Sequence, residues 1–84
     1  MSRIRLKLRE LLNELRVRPQ TVERVARDDL GYPFGENSIY RILKTEYPSQ
    51  VNLESLNAII HALRHHTGQD IQVSDVLEYV PSEA

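Results

Sequence analysis

The sequence has no cysteine and no tryptophan, and only one phenylalanine and one methionine. Without cysteine there is neither a disulfide nor a thiolate metal site. The lack suits a reducing compartment. No apolar run approaches the ~18 residues that a membrane-crossing helix needs. The start, Met1-Ser2-Arg3-Ile4-Arg5, carries no apolar stretch of the kind a secretory leader uses. The expectation is a cytoplasmic protein that makes no use of a membrane. Glycine-rich phosphate loops, nucleophile elbows and zinc-protease patterns are missing as well. The chain therefore reads as a non-enzyme with no cofactor.

What is present fits one globular domain spanning 1–84. Hydrophobic residues make up 40% of the 84 and charged residues 27%, which separates the chain from disordered sequences. A domain of this size buries roughly 60–65% of its unfolded surface, enough for one modest core. The formal net charge is −1, but it is unevenly spread. Residues 1–44 hold ten bases against six acids, a net of +4. Residues 45–84 hold Arg64 against six acids, a net of −5. Such polarity points to an anionic partner for the first half.

Periodicity gives five helical segments. Ile4, Leu8, Leu11, Leu12 and Leu15 form one stripe and predict a first helix over 4–15, with Leu6 off the stripe. Pro19 breaks the chain. Thr21 then caps a second helix to about Asp29, with Val22, Val25, Ala26 and Leu30 inward. Gly31-Tyr32-Pro33-Phe34-Gly35 is a turn, whose aromatic residues are expected to cover the edge of the core. A third helix over 36–44 buries Ile39, Ile42 and Leu43 and projects Asn37, Tyr40, Arg41 and Lys44. Asn52 caps a fourth helix, 52–66, with Leu53, Leu56, Ile59, Ile60 and Leu63 as its core stripe and Gly68 beyond its end. Ile71 to Val73 reads as extended, Ser74 as the cap of a last helix over 75–79, and 81–84 as a tail.

The unit over 21–44 carries the functional chemistry: two helices, a tight connection, and a second helix with one face projecting. Arg41 has the fork that reads guanine, and Asn37 the amide that reads adenine. Glu36 either accepts from a cytosine amino group or repels phosphate and so sharpens choice. Lys44 and the free N–H groups at the start of the third helix suit phosphate. Arg16 and Arg18, in the first interhelix loop, are placed for phosphate too. His61 and His65 stand one helical turn apart but have no further ligand to complete a metal site, and they read as solvated residues. Asp28 and Asp29 read as solvation of a helix end.

Thr21-Val22-Glu23-Arg24-Val25-Ala26, the glycine-bearing turn, and Asn37-Ser38-Ile39-Tyr40-Arg41-Ile42-Leu43 together resemble the helix-turn-helix of the Cro and lambda-repressor-like regulators of the XRE type. Val51-Asn52-Leu53-Glu54-Ser55-Leu56 resembles the start of that family's fourth helix. Val73-Ser74-Asp75-Val76-Leu77-Glu78-Tyr79-Val80-Pro81 resembles the ending of a bacterial subgroup. The resemblance implies an all-α, five-helix fold and a DNA-binding regulator, acting as a repressor and associated with the nucleoid. By position it makes Glu36, Asn37, Ser38, Tyr40 and Arg41 the base contacts. Thr21, Arg24, Lys44 and Arg18 are the phosphate contacts. Two features depart from the family: Val22 replaces its usual glutamine, and the turn is about three residues longer. A domain this small would bind as a homodimer, with recognition helices roughly 34 Å apart. The acidic half would supply that contact, through Val76, Leu77, Tyr79 and Val80. The competing expectation is a protein-interaction module, such as the antitoxin of a toxin–antitoxin pair.

Overall fold

The chain opens as a strand and not as a helix. The computed structural model describes residues 2–35 and 37–82. In it β1, Arg3–Leu6, lies antiparallel to β2, Leu77–Val80. Ile4 pairs with Tyr79 and Leu6 with Leu77. The ladder corrects the all-α expectation at both ends of the chain. Arg3-Ile4-Arg5-Leu6 alternates polar and apolar residues, the period of a half-buried strand. Its partner lies at the far end of the chain, where a local helical stripe cannot register it. Leu6, off the helical stripe, is buried on the inner side of β1. Of the helix expected over 75–79, Asp75 and Val76 are helical, and from Leu77 onward the chain forms β2 for the same reason.

After Lys7, α1 runs from Leu8 to Leu15 and buries Leu8, Leu11 and Leu12. Its end is a closed left-handed cap. Arg16 has φ 55 and donates its N–H to Asn13 O, and Val17 N–H reaches back to Leu12 O at 3.0 Å. Val17 and Leu12 are both buried in the one core, in keeping with the apolar pairing that accompanies this cap.

Helix α2, Pro19–Arg24, starts three residues earlier than a cap at Thr21 would have set it. Pro19 occupies the first helical position, where its fixed φ and missing N–H cost nothing. Arg18 before it is extended, as a residue preceding proline must be. Thr21 therefore lies inside the helix and does not cap it. From Val25 to Asp29 the helix widens into a π turn. Leu30 N–H bonds Val25 O at 3.1 Å, and Tyr32 N–H bonds Ala26 O at 2.8 Å. Gly31 permits this exit, with φ +76.

The long turn folds onto the core. Phe34 is buried, and Tyr32 meets His61 edge-on with ring centroids 5.6 Å apart. The Tyr32 hydroxyl lies 2.7 Å from His61 Nδ1 and accepts from Asn57 Nδ2 at 3.3 Å. Pro33 remains exposed. Helix α3, Ser38–Leu43, is shorter than expected and buries Ile39, with Ile42 and Leu43 half-buried.

Helix α4, Leu53–Thr67, keeps both expected boundaries to within a residue. Asn52 Oδ1 accepts from Glu54 N–H at 2.9 Å and Ser55 N–H at 3.1 Å. Gly68 ends the helix at φ +73 and bonds Arg64 O. Leu53 is corrected out of the core stripe: it occupies the first turn, beyond the core's edge, and is 75% exposed. Of the stretch expected to be extended, Gln72 is so, whereas Val73 starts α5, Val73–Val76. Its N-terminus is closed by Asp75, whose Oδ2 accepts from Gln72 N–H at 2.8 Å, so Ser74 is not the cap. Leu8, Val22, Ile39, Ile59, Leu63 and Val76 are fully buried and define one core. Among the described residues the architecture is five α-helices on one core, closed by a two-stranded ladder between the chain's ends. No helix among them is long and apolar enough to cross a membrane.

Candidate nucleic-acid interface

Helix α3 is held against α2 by a polar contact inside the core. Glu23 is only 6% exposed, and its Oε1 accepts from Ile39 N–H at 2.9 Å. The carboxylate thus occupies the positive end of α3. Ser38 N–H is turned back to Gly35 O. These bonds correct the expectation that the start of α3 offers free N–H groups to phosphate. A signal for Glu23 did exist, since it shares a helical stripe with Ala26 and Leu30.

On the other face of α3, Asn37, Tyr40, Arg41 and Lys44 are all exposed, and the spacing i, i+3, i+4, i+7 aligns them. Asn37 has φ 64, and its side chain caps nothing, so the amide stays available. Ser38 is half-buried. Glu36 lies outside the described residues. Of the phosphate candidates, Arg18 and Arg24 are exposed and Thr21 is half-buried. Val22 points into the core, and so has no role at a surface.

The positive charge of the first half divides into two sets. One set is consumed within the fold. Arg5 pairs with Glu10, with Glu46 at 3.3 Å and with Glu78 at 3.7 Å, joining β1 to α1, the loop after α3, and β2. The hydrogen bond to Glu10 raises the Arg5 pKa further above its ordinary value. Arg3 stacks on Tyr47, 3.7 Å from the ring centroid. Arg9 donates to Leu43 O at 3.1 Å, a cation at the negative end of α3. Arg27 pairs with Asp28. The other set is unspent. Among the described residues, Lys7, Arg16, Arg18, Arg24, Arg41 and Lys44 pair with no carboxylate. All of these but Lys7 were singled out from the sequence. Arg5 and Arg9 were missed as structural cations: Glu46, Glu78 and the Leu43 carbonyl lie far along the chain, and Glu10 comes within reach of Arg5 only because residues 3–6 form a strand and not the expected helix.

The expected dimer contact does not hold together as a surface. Val76 is fully buried in the chain's own core and is corrected out of it. Leu77 and Val80 are half-buried in β2. Tyr79 alone of the four is open, at 63% exposure.

These features define a small, mostly helical domain that presents an amide, a phenol and two cations, unpaired among the described residues, from one short helix and its caps. No known protein family, curated protein or solved structure matches the chain.

Proposed function

We propose that the chain is a sequence-specific DNA-binding regulator, a repressor that acts as a homodimer and reads the major groove with α3. The observation that carries this reading is the Asn37–Tyr40–Arg41–Lys44 face. It is exposed, it lies opposite the buried Ile39 side of the helix, and Arg41 and Lys44 meet no carboxylate among the described residues. An uncommitted guanidinium forks onto guanine O6 and N7, and an uncommitted amide onto adenine N6 and N7. Lys44, Arg24 and Arg18 supply charge to phosphates, which sets register but not sequence. Ser38 and Tyr40 complete the reading face. In this reading the acidic charge of the second half lowers non-specific affinity.

Selection from random duplexes at two salt concentrations tests the reading. The expected result is a short enriched motif. Arg41→Ala should cost ~1–3 kcal/mol and erase preference at one position of the motif. Lys44→Ala should weaken all sequences alike and flatten the salt dependence by about one ion. The reading fails if no duplex is retained at low salt. Co-purification of a stoichiometric protein, unaffected by changes on α3, would instead identify an interaction module of the antitoxin kind.

A further inference from the structure

The reading face ends at Lys44. Beside it opens a groove of about 270 Å³, between the first turn of α1 and the end of α3. Arg9 and Lys44 line the groove, with Glu10 and Glu46. Arg9 is exposed, and its Nη2 donates to Leu43 O at 3.1 Å. Among the described residues it meets no carboxylate. We propose that Arg9 is a further DNA contact, one that takes a backbone phosphate at the C-terminal end of α3, next to Lys44. This contact rests on the DNA-binding reading above, and it adds an anchor on α1 to those on α2 and α3.

The end of a helix repels phosphate. Its last carbonyls have no partner within the helix and carry the negative end of the dipole. Leu43 O is such a carbonyl, and Arg9 covers it. The bond takes one of the five N–H donors of a guanidinium. The others remain for phosphate oxygens, which the planar fork engages two at a time. Lys44 draws the backbone to this end of α3, and Arg9 is bonded to the residue before it. A side chain that only braced the carbonyl would leave a bare negative end beside the backbone once its charge was removed.

Glu10 and Glu46 do not cancel the two cations. Both are bonded to Arg5, Glu46 at 3.3 Å. With Arg5 counted, three cations stand against the two acids of the groove. Arg5 also reaches Glu78 at 3.7 Å, outside the groove, so the surplus is small. A small surplus is a poor trap for a free anion. It serves a phosphate that a bound duplex already presents, and so fixes register more than affinity.

Binding of the selected duplex, measured against salt, separates a contact from a brace. Loss of one phosphate contact lowers the salt slope by about one ion. The affinity lost in Arg9→Gln should therefore be about 3.5-fold greater at ~50 mM than at ~200 mM salt. Arg9→Lys keeps the charge and should keep the wild-type slope. Combining Arg9→Gln with Lys44→Ala should lower the slope by about two ions. Neutral methylphosphonates, placed singly along the half-site, should reveal one phosphate whose replacement weakens the wild type and Arg9→Lys but not Arg9→Gln. An equal loss at both salts in Arg9→Gln would make Arg9 a brace of α3 alone and overturn the contact. So would a methylphosphonate scan in which Arg9→Gln masks no position. If the wild type selects a motif and either result appears, the contact falls and the reading of α3 stands. If the wild type retains no duplex, both fall.

Discussion

Glu23 shows how one side chain fixes the angle at which α3 leaves the body. Its carboxylate is buried and accepts from the Ile39 N–H, so a charged group substitutes for a backbone partner at the start of a six-residue helix. A buried N–H stripped of its acceptor carries a desolvation penalty of ~1–3 kcal/mol. Glu23→Ala should therefore lower stability by about that much. A 60–100-residue domain loses ~4–8 °C in Tm per kcal/mol. Glu23→Gln keeps an amide oxygen in the same place and should recover most of the loss. Thermal unfolding of both variants checks the claim, and equal losses would show that shape, not the accepted bond, sets the cost. Because the contact orients α3, Glu23→Ala should also reduce duplex affinity without changing which motif is selected.

At the scale of elements, the end of α1 carries a strain that one substitution relieves. Arg16 is exposed and holds φ 55, a region that costs an L-residue ~1–2 kcal/mol. Glycine removes that cost and returns ~0.5–1 kcal/mol through the entropy of the unfolded chain. Arg16→Gly should thus stabilise the protein by about 0.5–1 kcal/mol, read as a shift in denaturant midpoint at constant m-value. A destabilised variant would mean that the guanidinium makes a contact worth more than the strain. The α4 boundaries were legible because Asn52 and Gly68 act within one turn of the residues they cap. The buried faces of α2 and α3 were legible because a 3.6-residue period is a local property. The β1–β2 ladder was not, since two four-residue segments at opposite ends of the chain carry no short-range sign of each other. The start of α2 was misplaced because Thr21 and Pro19 both signal a helix start, and the proline's fixed φ prevailed. For the candidate site, exposure of the α3 face was readable from spacing. Which cations were free was not, because each pairing depends on tertiary neighbours.

For the whole molecule, the ladder indicates how two copies could meet. Leu6 N–H bonds Glu46 O and Leu77 N–H bonds Val73 O, so both point away from the opposite strand. In an antiparallel pair such residues alternate with inward-bonded ones. Two positions on, Ile4 and Tyr79 must also turn their backbone groups outward. Glu46 covers the outer edge of β1 at Leu6, whereas among the described residues no backbone partner meets the Tyr79 N–H. A two-fold axis at Tyr79 would let that N–H and carbonyl exchange two hydrogen bonds with Tyr79 of a second copy. An axis one residue earlier would set Glu78 against Glu78, and like charges directly opposed are destabilising. Pro81 cannot donate, so the seam ends there and edge-to-edge pairing cannot spread. In the proposed homodimer so short a seam would make a weak contact, which the two halves of an operator would reinforce. Tyr79→Pro removes the outward N–H and leaves the bonds to β1 in place. It should yield a folded monomer with unchanged far-ultraviolet circular dichroism and weaker binding to a two-half-site duplex, with binding to a single half-site retained. Sedimentation equilibrium decides the matter: dimerisation of Tyr79→Pro with wild-type affinity would rule out this edge as the contact.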